Sequence, residues 1–285
     1  MPIIVYNNYM GLKKFLENKQ KKKFKKKYKV GLCLSGGGTK GISYIGIFKA
    51  FEEHGITFDM VAGTSAGSLF GALYASGMSS STMQKLLKDV KTSDFKKSKL
   101  GFLPSKMDKL AEKLCVALPV KNFEELKVPL YVVAVNLKTG KEEHLNTGSL
   151  VSAITGSCAI PGVFCPVKHK NMTLIDGGVS NNVPADVLKL KGCDYVVTLD
   201  CNTFRGGGTN STKLLTQFTT SVGIMMANNS KKGLELSDII ITPDTKRFSS
   251  LKIEQPEELI EAGYIAAKSM IPEIQKLFTG KLKKW

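Results

Sequence analysis

The sequence predicts an α/β sandwich on a mainly parallel sheet, and two observations carry that expectation. Short apolar runs of strand length recur at Val30 to Leu34, Phe58 to Ala62, Leu130 to Leu137 and Tyr195 to Asp200. The first two open directly into glycine-rich turns and then into segments of helical spacing, the strand–turn–helix unit that places successive loops at one edge of a parallel sheet. At 285 residues the chain suits one sizeable domain with a real core. Residues 1–28 read as a lysine-rich arm and 29–285 as the folded unit, with a motif-bearing part over 29–190 and further helices and strands over 191–285.

In chain order, the strand Val30 to Leu34 leads through a glycine loop into a helix from Lys40 to His54, and the strand Phe58 to Ala62 leads into a helix from Ser65 to Ala75. Short helices follow at Ser80 to Val90 and Pro104 to Val116. Leu130 to Leu137 is a β-branched strand, and Lys138-Thr139-Gly140-Lys141 turns it into a partner from Glu142 to Leu145. A helix from Leu150 to Ser157 ends before Pro161, and Pro184 suits the first position of the next helix. Phe204 to Asn210 is a glycine-rich loop, Ile239 to Thr242 a strand, and Pro256 opens a long final helix. Phe218 to Met226 is apolar at helical spacing, as core helices are, and such a flexible apolar stretch could also line an acyl-chain groove.

Three stretches carry chemistry. Gly63-Thr64-Ser65-Ala66-Gly67 sets a serine at a strand-to-helix corner, where only small residues fit two positions before and after it and the helix dipole favours negative charge. An ordinary turn with a capping serine has the same spelling. Gly36-x-Gly38-x-x-Gly41 has the spacing of a dinucleotide-binding loop, although Asp59 stands at the beginning of the second strand and the ribose acid belongs at its end. Alternatively, the glycines leave backbone N–H groups to receive a developing oxyanion, with Lys40 adding positive charge. Asp176-Gly177-Gly178 follows the apolar run Met172 to Ile175, setting a carboxylate at a strand end beside a tight turn.

Together the loop Gly36-Gly37-Gly38-Thr39-Lys40-Gly41, the elbow around Ser65 and the triplet Asp176-Gly177-Gly178 resemble the patatin-like phospholipase family, in the family's order. Ser157-Cys158-Ala159-Ile160-Pro161, Val179-Ser180-Asn181-Asn182-Val183-Pro184 and, more loosely, Glu258 to Tyr264 are similar to family phrases. The resemblance implies a three-layer α/β/α sandwich and a lipid acyl hydrolase of phospholipase A type. It further implies Ser65 as nucleophile, Asp176 as base, and Gly36, Gly37 and Gly38 as the oxyanion hole. Lys40, Gly41, Gly63, Gly67, Gly177 and Gly178 support the motifs, and no cofactor or metal is implied.

The residues are consistent with a two-membered site. An α/β-hydrolase triad places its histidine after the acid, whereas His54, His144 and His169 all precede Asp176, with His169 a weak alternative base. A carboxylate is a weaker base than imidazole, so such a pair needs short geometry and some desolvation.

Composition narrows the setting. Net charge is +17, of which residues 13–29, with ten lysines against Glu17, supply +9. Leu12, Phe15, Leu16, Phe24 and Tyr28 punctuate that run, so it could lie along an anionic membrane surface or remain a solvated arm without a partner. No recognition fold accompanies the charge, so nucleic acid is not expected. The six cysteines form no C-x-x-C pair, which disfavours zinc and fits reduced thiols in a cytoplasmic setting, and no calcium-loop pattern occurs. Neither a signal peptide nor a transmembrane segment is expected. Three function classes remain: a lipid acyl hydrolase, a dinucleotide-binding protein using the Gly36 loop, and a non-catalytic basic membrane adaptor.

Overall fold

The computed structural model describes residues 28–88, 90, 105–202 and 214–278. The lysine arm, apart from Tyr28 and Lys29, and the loop expected from Phe204 to Asn210 lie outside the described residues. The strands are β1 (Val30–Leu34), β2 (Met60–Thr64), β3 (Leu130–Asn136), β4 (Lys141–Leu145), β5 (Val167–His169), β6 (Met172–Asp176), β7 (Tyr195–Leu199) and β8 (Ile239–Ile241). They form one sheet in the order β5-β6-β3-β2-β1-β7-β8, with β4 also on β3. The pairs joining β3, β2, β1, β7 and β8 are parallel, and β4, β5 and β6 pair antiparallel.

The helices are α1 (Ser43–Glu53), α2 (Ala66–Ala75), α3 (Ser80–Leu87), α4 (Asp108–Ala117), α5 (Leu150–Ser157), α6 (Ala185–Leu190), α7 (Leu214–Asn229), α8 (Lys231–Glu235) and α9 (Pro256–Phe278). β1 is buried on both faces, and its side chains alternate between two cores. Val30, Leu32 and Leu34 join Phe48 of α1, Phe70 of α2, Ile154 of α5 and Ile271 of α9. Cys33, with Ala62, Val133 and Val196 of neighbouring strands, faces Val187 and Leu188 of α6. The sheet therefore has helices on both sides, the three-layer arrangement expected from the sequence. On the larger face, α1 and α9 cross at paired glycines. A Cβ on Gly46 would come within 1.8 Å of the Ile260 carbonyl oxygen, and one on Gly263 within 1.9 Å of that of Ser43.

β4 pairs with β3 over Val132–Asn136, overlapping both the β2 pairing (Leu130–Val133) and the β6 pairing (Ala134–Asn136). Since a strand has two edges, β2 and β6 must share the other edge of β3. β2 runs parallel and ends at Thr64 opposite Val133, and β6 runs antiparallel and ends at Asp176 opposite Ala134. Two strands distant in sequence thus meet head-on along one edge, and the residues that leave them are brought together.

Candidate active site

Ser65 occupies the junction of β2 and α2 at φ 53°, ψ −124°, a conformation that side chains other than glycine rarely adopt. Its surroundings hold it there. The Ser65 N–H donates to Ser157 Oγ at 2.8 Å, Ser157 Oγ donates to the Val133 carbonyl at 2.6 Å, and Ser68 Oγ donates to the Ser65 carbonyl at 2.7 Å. The flanking glycines allow backbone to pack on backbone. A Cβ on Gly63 would lie 2.3 Å from the Gly67 carbonyl oxygen, and one on Gly67 would lie 2.2 Å from that of Leu34.

Across the head-on junction, Ser65 Oγ donates to Asp176 Oδ2 at 2.7 Å, and the Gly178 N–H donates to Asp176 Oδ1 at 2.8 Å. The Asp176 N–H is anchored on the Ala159 carbonyl at 3.0 Å. Asp176 is fully buried, and this burial raises its carboxyl to about 6 against the opposing pull of the Gly178 and Ser65 hydrogen bonds. Gly177 is required by crowding, since its Cβ would lie 2.3 Å from the Val133 carbonyl oxygen.

The glycine loop runs alongside. The Gly36 N–H donates to the Asn182 carbonyl at 3.1 Å, which corrects the expectation that Gly36 offers an N–H to an oxyanion. Gly36 serves instead by lacking a side chain: its Cβ would lie 2.3 Å from Asn182 Oδ1 and 3.2 Å from Ser65 Cβ. Among the described residues the N–H groups of Gly37 and Gly38 have no partner. Gly38 has φ 60°, with the Ser250 carbonyl oxygen 2.0 Å from where a Cβ would be, so only glycine fits. Lys40 is buried, and burial lowers its ammonium pKa while Cys201 and Asp200 nearby oppose that shift. Gly41 lets the loop lie on α2, since a Cβ there would be 3.0 Å from Ala66 Cβ.

Asp59 is not placed with this loop. Its carboxylate accepts the Val30 N–H at 2.8 Å, at the opposite end of β1 from Gly36, so Asp59 does not serve this loop as the acid that a dinucleotide site would use on ribose. His169 is remote as well: it pairs with Met172 at the far end of β6 from Asp176, and its Nδ1 lies 2.7 Å from Ser152 Oγ. Among the described residues no group of three His, Cys, Asp or Glu could hold a metal, and no helix is long and apolar enough to cross a membrane.

Two residues matter more than sequence reasoning allowed. Ser157, read only as the end of a helix, ties the strained elbow to β3. Asn182, read as a cap or turn, links the glycine loop to the turn after Asp176, and its Nδ2 donates to Ser230 Oγ at 3.1 Å. The family-like phrases containing them were the only signal available. Chemically, a hydroxyl at a helix N-terminus, bonded to a desolvated carboxylate beside unpartnered N–H groups, can deliver an alkoxide-like oxygen to an electrophilic carbon.

Residues 32–189 match the family model for patatin-like phospholipases. The chain is 30% identical over 185 residues to patatin-like phospholipase domain-containing protein 6 of Homo sapiens, the alignment covering 60% of this chain and 13% of that protein. It is also 30% identical over 190 residues to lysophospholipase NTE1 of Eremothecium gossypii, covering 60% of this chain and 12% of that one. The chain thus spans about an eighth of the length of these curated relatives. The crystal structure of VipD from Legionella pneumophila shares the fold, with a TM-score of 0.59 at 18% identity, over 86% of this chain and 67% of that one.

Proposed function

The chain belongs to the patatin-like phospholipase family, and from that premise we propose that it hydrolyses fatty-acyl esters of glycerolipids through an acyl-Ser65 intermediate. The observation that carries this reading is the 2.7 Å hydrogen bond from Ser65 Oγ to Asp176 Oδ2 inside a desolvated site. As Oγ attacks the ester carbonyl carbon, its proton passes to Asp176. The tetrahedral oxyanion is received by the N–H groups of Gly37 and Gly38, aided by the N-terminus of α2. Collapse breaks the carbon–oxygen bond of the ester, and Asp176 returns the proton to the departing alcohol. Water then attacks the acyl-serine as Asp176 takes its proton; collapse breaks the bond from the acyl carbon to Ser65 Oγ, Asp176 returns the proton to Oγ, and the fatty acid leaves. The ten lysines of residues 13–29 add attraction to anionic membrane surfaces, where such substrates reside.

A chromogenic acyl ester and a fluorophosphonate probe test the reading together. The intact chain turns over the ester and is labelled, and Ser65→Ala does neither. Because the base must be ionised, activity falls as pH drops through about 6, the value to which burial raises Asp176. Labelling that persists in Ser65→Ala refutes the assignment.

A further inference from the structure

α7 contains no charged residue, and from Leu214 to Ser230 the chain runs seventeen positions without one, where its overall 23% of charged residues would place about four. The helix has two different sides. Val222 and Met226 are buried, whereas Gln217, Phe218, Ser221, Ile224, Met225 and Asn228 are exposed along one contiguous face, as the 3.6-residue repeat dictates. Phe218, Ile224 and Met225 keep 42%, 42% and 46% of their surface exposed. Other apolar side chains of the chain are as open, but these three share one contiguous helix face that carries no charge.

The inner side of the helix is fastened to the site. The Met226 methyl lies 2.2 Å from where a Cβ on Gly178 would be, and Asn229 Nδ2 donates to the Val179 carbonyl at 2.7 Å. The Phe218 ring lies 2.5 Å from the Cβ position of Gly162, in the loop following Ala159, whose carbonyl anchors Asp176. α7 therefore spans both segments that hold the carboxylate. Two exposed lysines, Lys231 and Lys232, follow its C-terminal end.

We propose that α7 is a membrane-contact helix whose outer face enters a phospholipid surface and so sets the Ser65–Asp176 site against the lipid. The proposal rests on the acyl hydrolase reading for its purpose, though not for its test. The chemistry favours a bilayer. Burying a charge in the acyl boundary is costly and none is present on this face, the exposed groups are apolar or small and neutral, and Lys231 beside it complements anionic headgroups, Lys232 being paired with Asp186 at 2.9 Å.

The experiment uses the full chain with phosphatidylcholine vesicles containing phosphatidylserine, at elevated salt so that attraction by the lysine arm is screened. Replacing the two exposed side chains that make no contact with the site (Ile224→Gln, Met225→Gln) weakens vesicle binding on the order of tenfold, with turnover of a soluble short-chain ester within about twofold. A Met225→Trp probe in a Trp285→Phe, Ser65→Ala background is quenched by brominated phospholipid, which reads docking without hydrolysis. Unchanged vesicle binding by the double variant, an equal fall in soluble-ester turnover, or an unquenched probe each overturns the proposal. A chain inactive on every ester but still quenched instead sinks the hydrolase reading and leaves docking intact.

Discussion

Replacing Asp176 with asparagine separates the cost of the site from its use. The carboxyl is fully buried and titrates near 6 instead of the ordinary 3.8, a rise caused by burial and only partly countered by the Gly178 and Ser65 hydrogen bonds. Below pH 3.8 the acid is neutral in folded and unfolded chains alike. Between that value and about 6 the unfolded chain ionises and the folded one does not, so the native state binds more protons and its stability falls as pH rises. Above about 6 the loss is complete, at about 3 kcal/mol for a shift of roughly two pH units. Asparagine has nearly the same shape, keeps an acceptor for the Gly178 N–H, and never ionises. Asp176→Asn therefore melts roughly 4–9 °C higher than the wild type at pH 8, and the difference closes toward pH 4. Its ester turnover is lost throughout. Parallel thermal melts and ester assays from pH 4 to 8 measure both. A variant less stable than wild type at pH 8, with a gap independent of pH, would show that Asp176 carries no burial penalty, and full turnover would remove it from the chemistry.

Two further outcomes follow from packing and hydrogen bonding. Ser157→Ala strips the Ser65 N–H and the Val133 carbonyl of their shared partner, costing about 2 kcal/mol in thermal stability and lowering kcat at least about tenfold as the elbow relaxes; an unchanged melt and kcat contradict this. Gly263→Ala drives a Cβ to within 1.9 Å of the Ser43 carbonyl oxygen, so α9 must shift from α1 at a cost of roughly 2 kcal/mol or more. Denaturant unfolding measures that loss, and an unchanged unfolding midpoint contradicts it.

Much of this molecule was legible in one dimension. β1 was read at its observed limits, and β2 lies two residues later than expected, at Met60–Thr64. The helix expected from Leu150 to Ser157, ending before Pro161, is α5 at the same limits, and in the structure Ser149 caps its start. The glycine spacings announced two crowded turns, since only missing side chains allow Gly63 on Gly67 and Gly67 on Leu34. Local sequence determines such features because they depend on steric and hydrogen-bonding preferences within a few residues. What lies between distant segments was decided in three dimensions. The shared edge of β3 makes β2 and β6 meet head-on, so a hydroxyl and a carboxylate 111 positions apart come within 2.7 Å. Tertiary packing also claimed the Gly36 N–H for Asn182, left those of Gly37 and Gly38 unpartnered, and turned the uncharged face of α7 outward. Which donors are satisfied, and which faces are covered, depends on neighbours that the chain supplies only after it has folded.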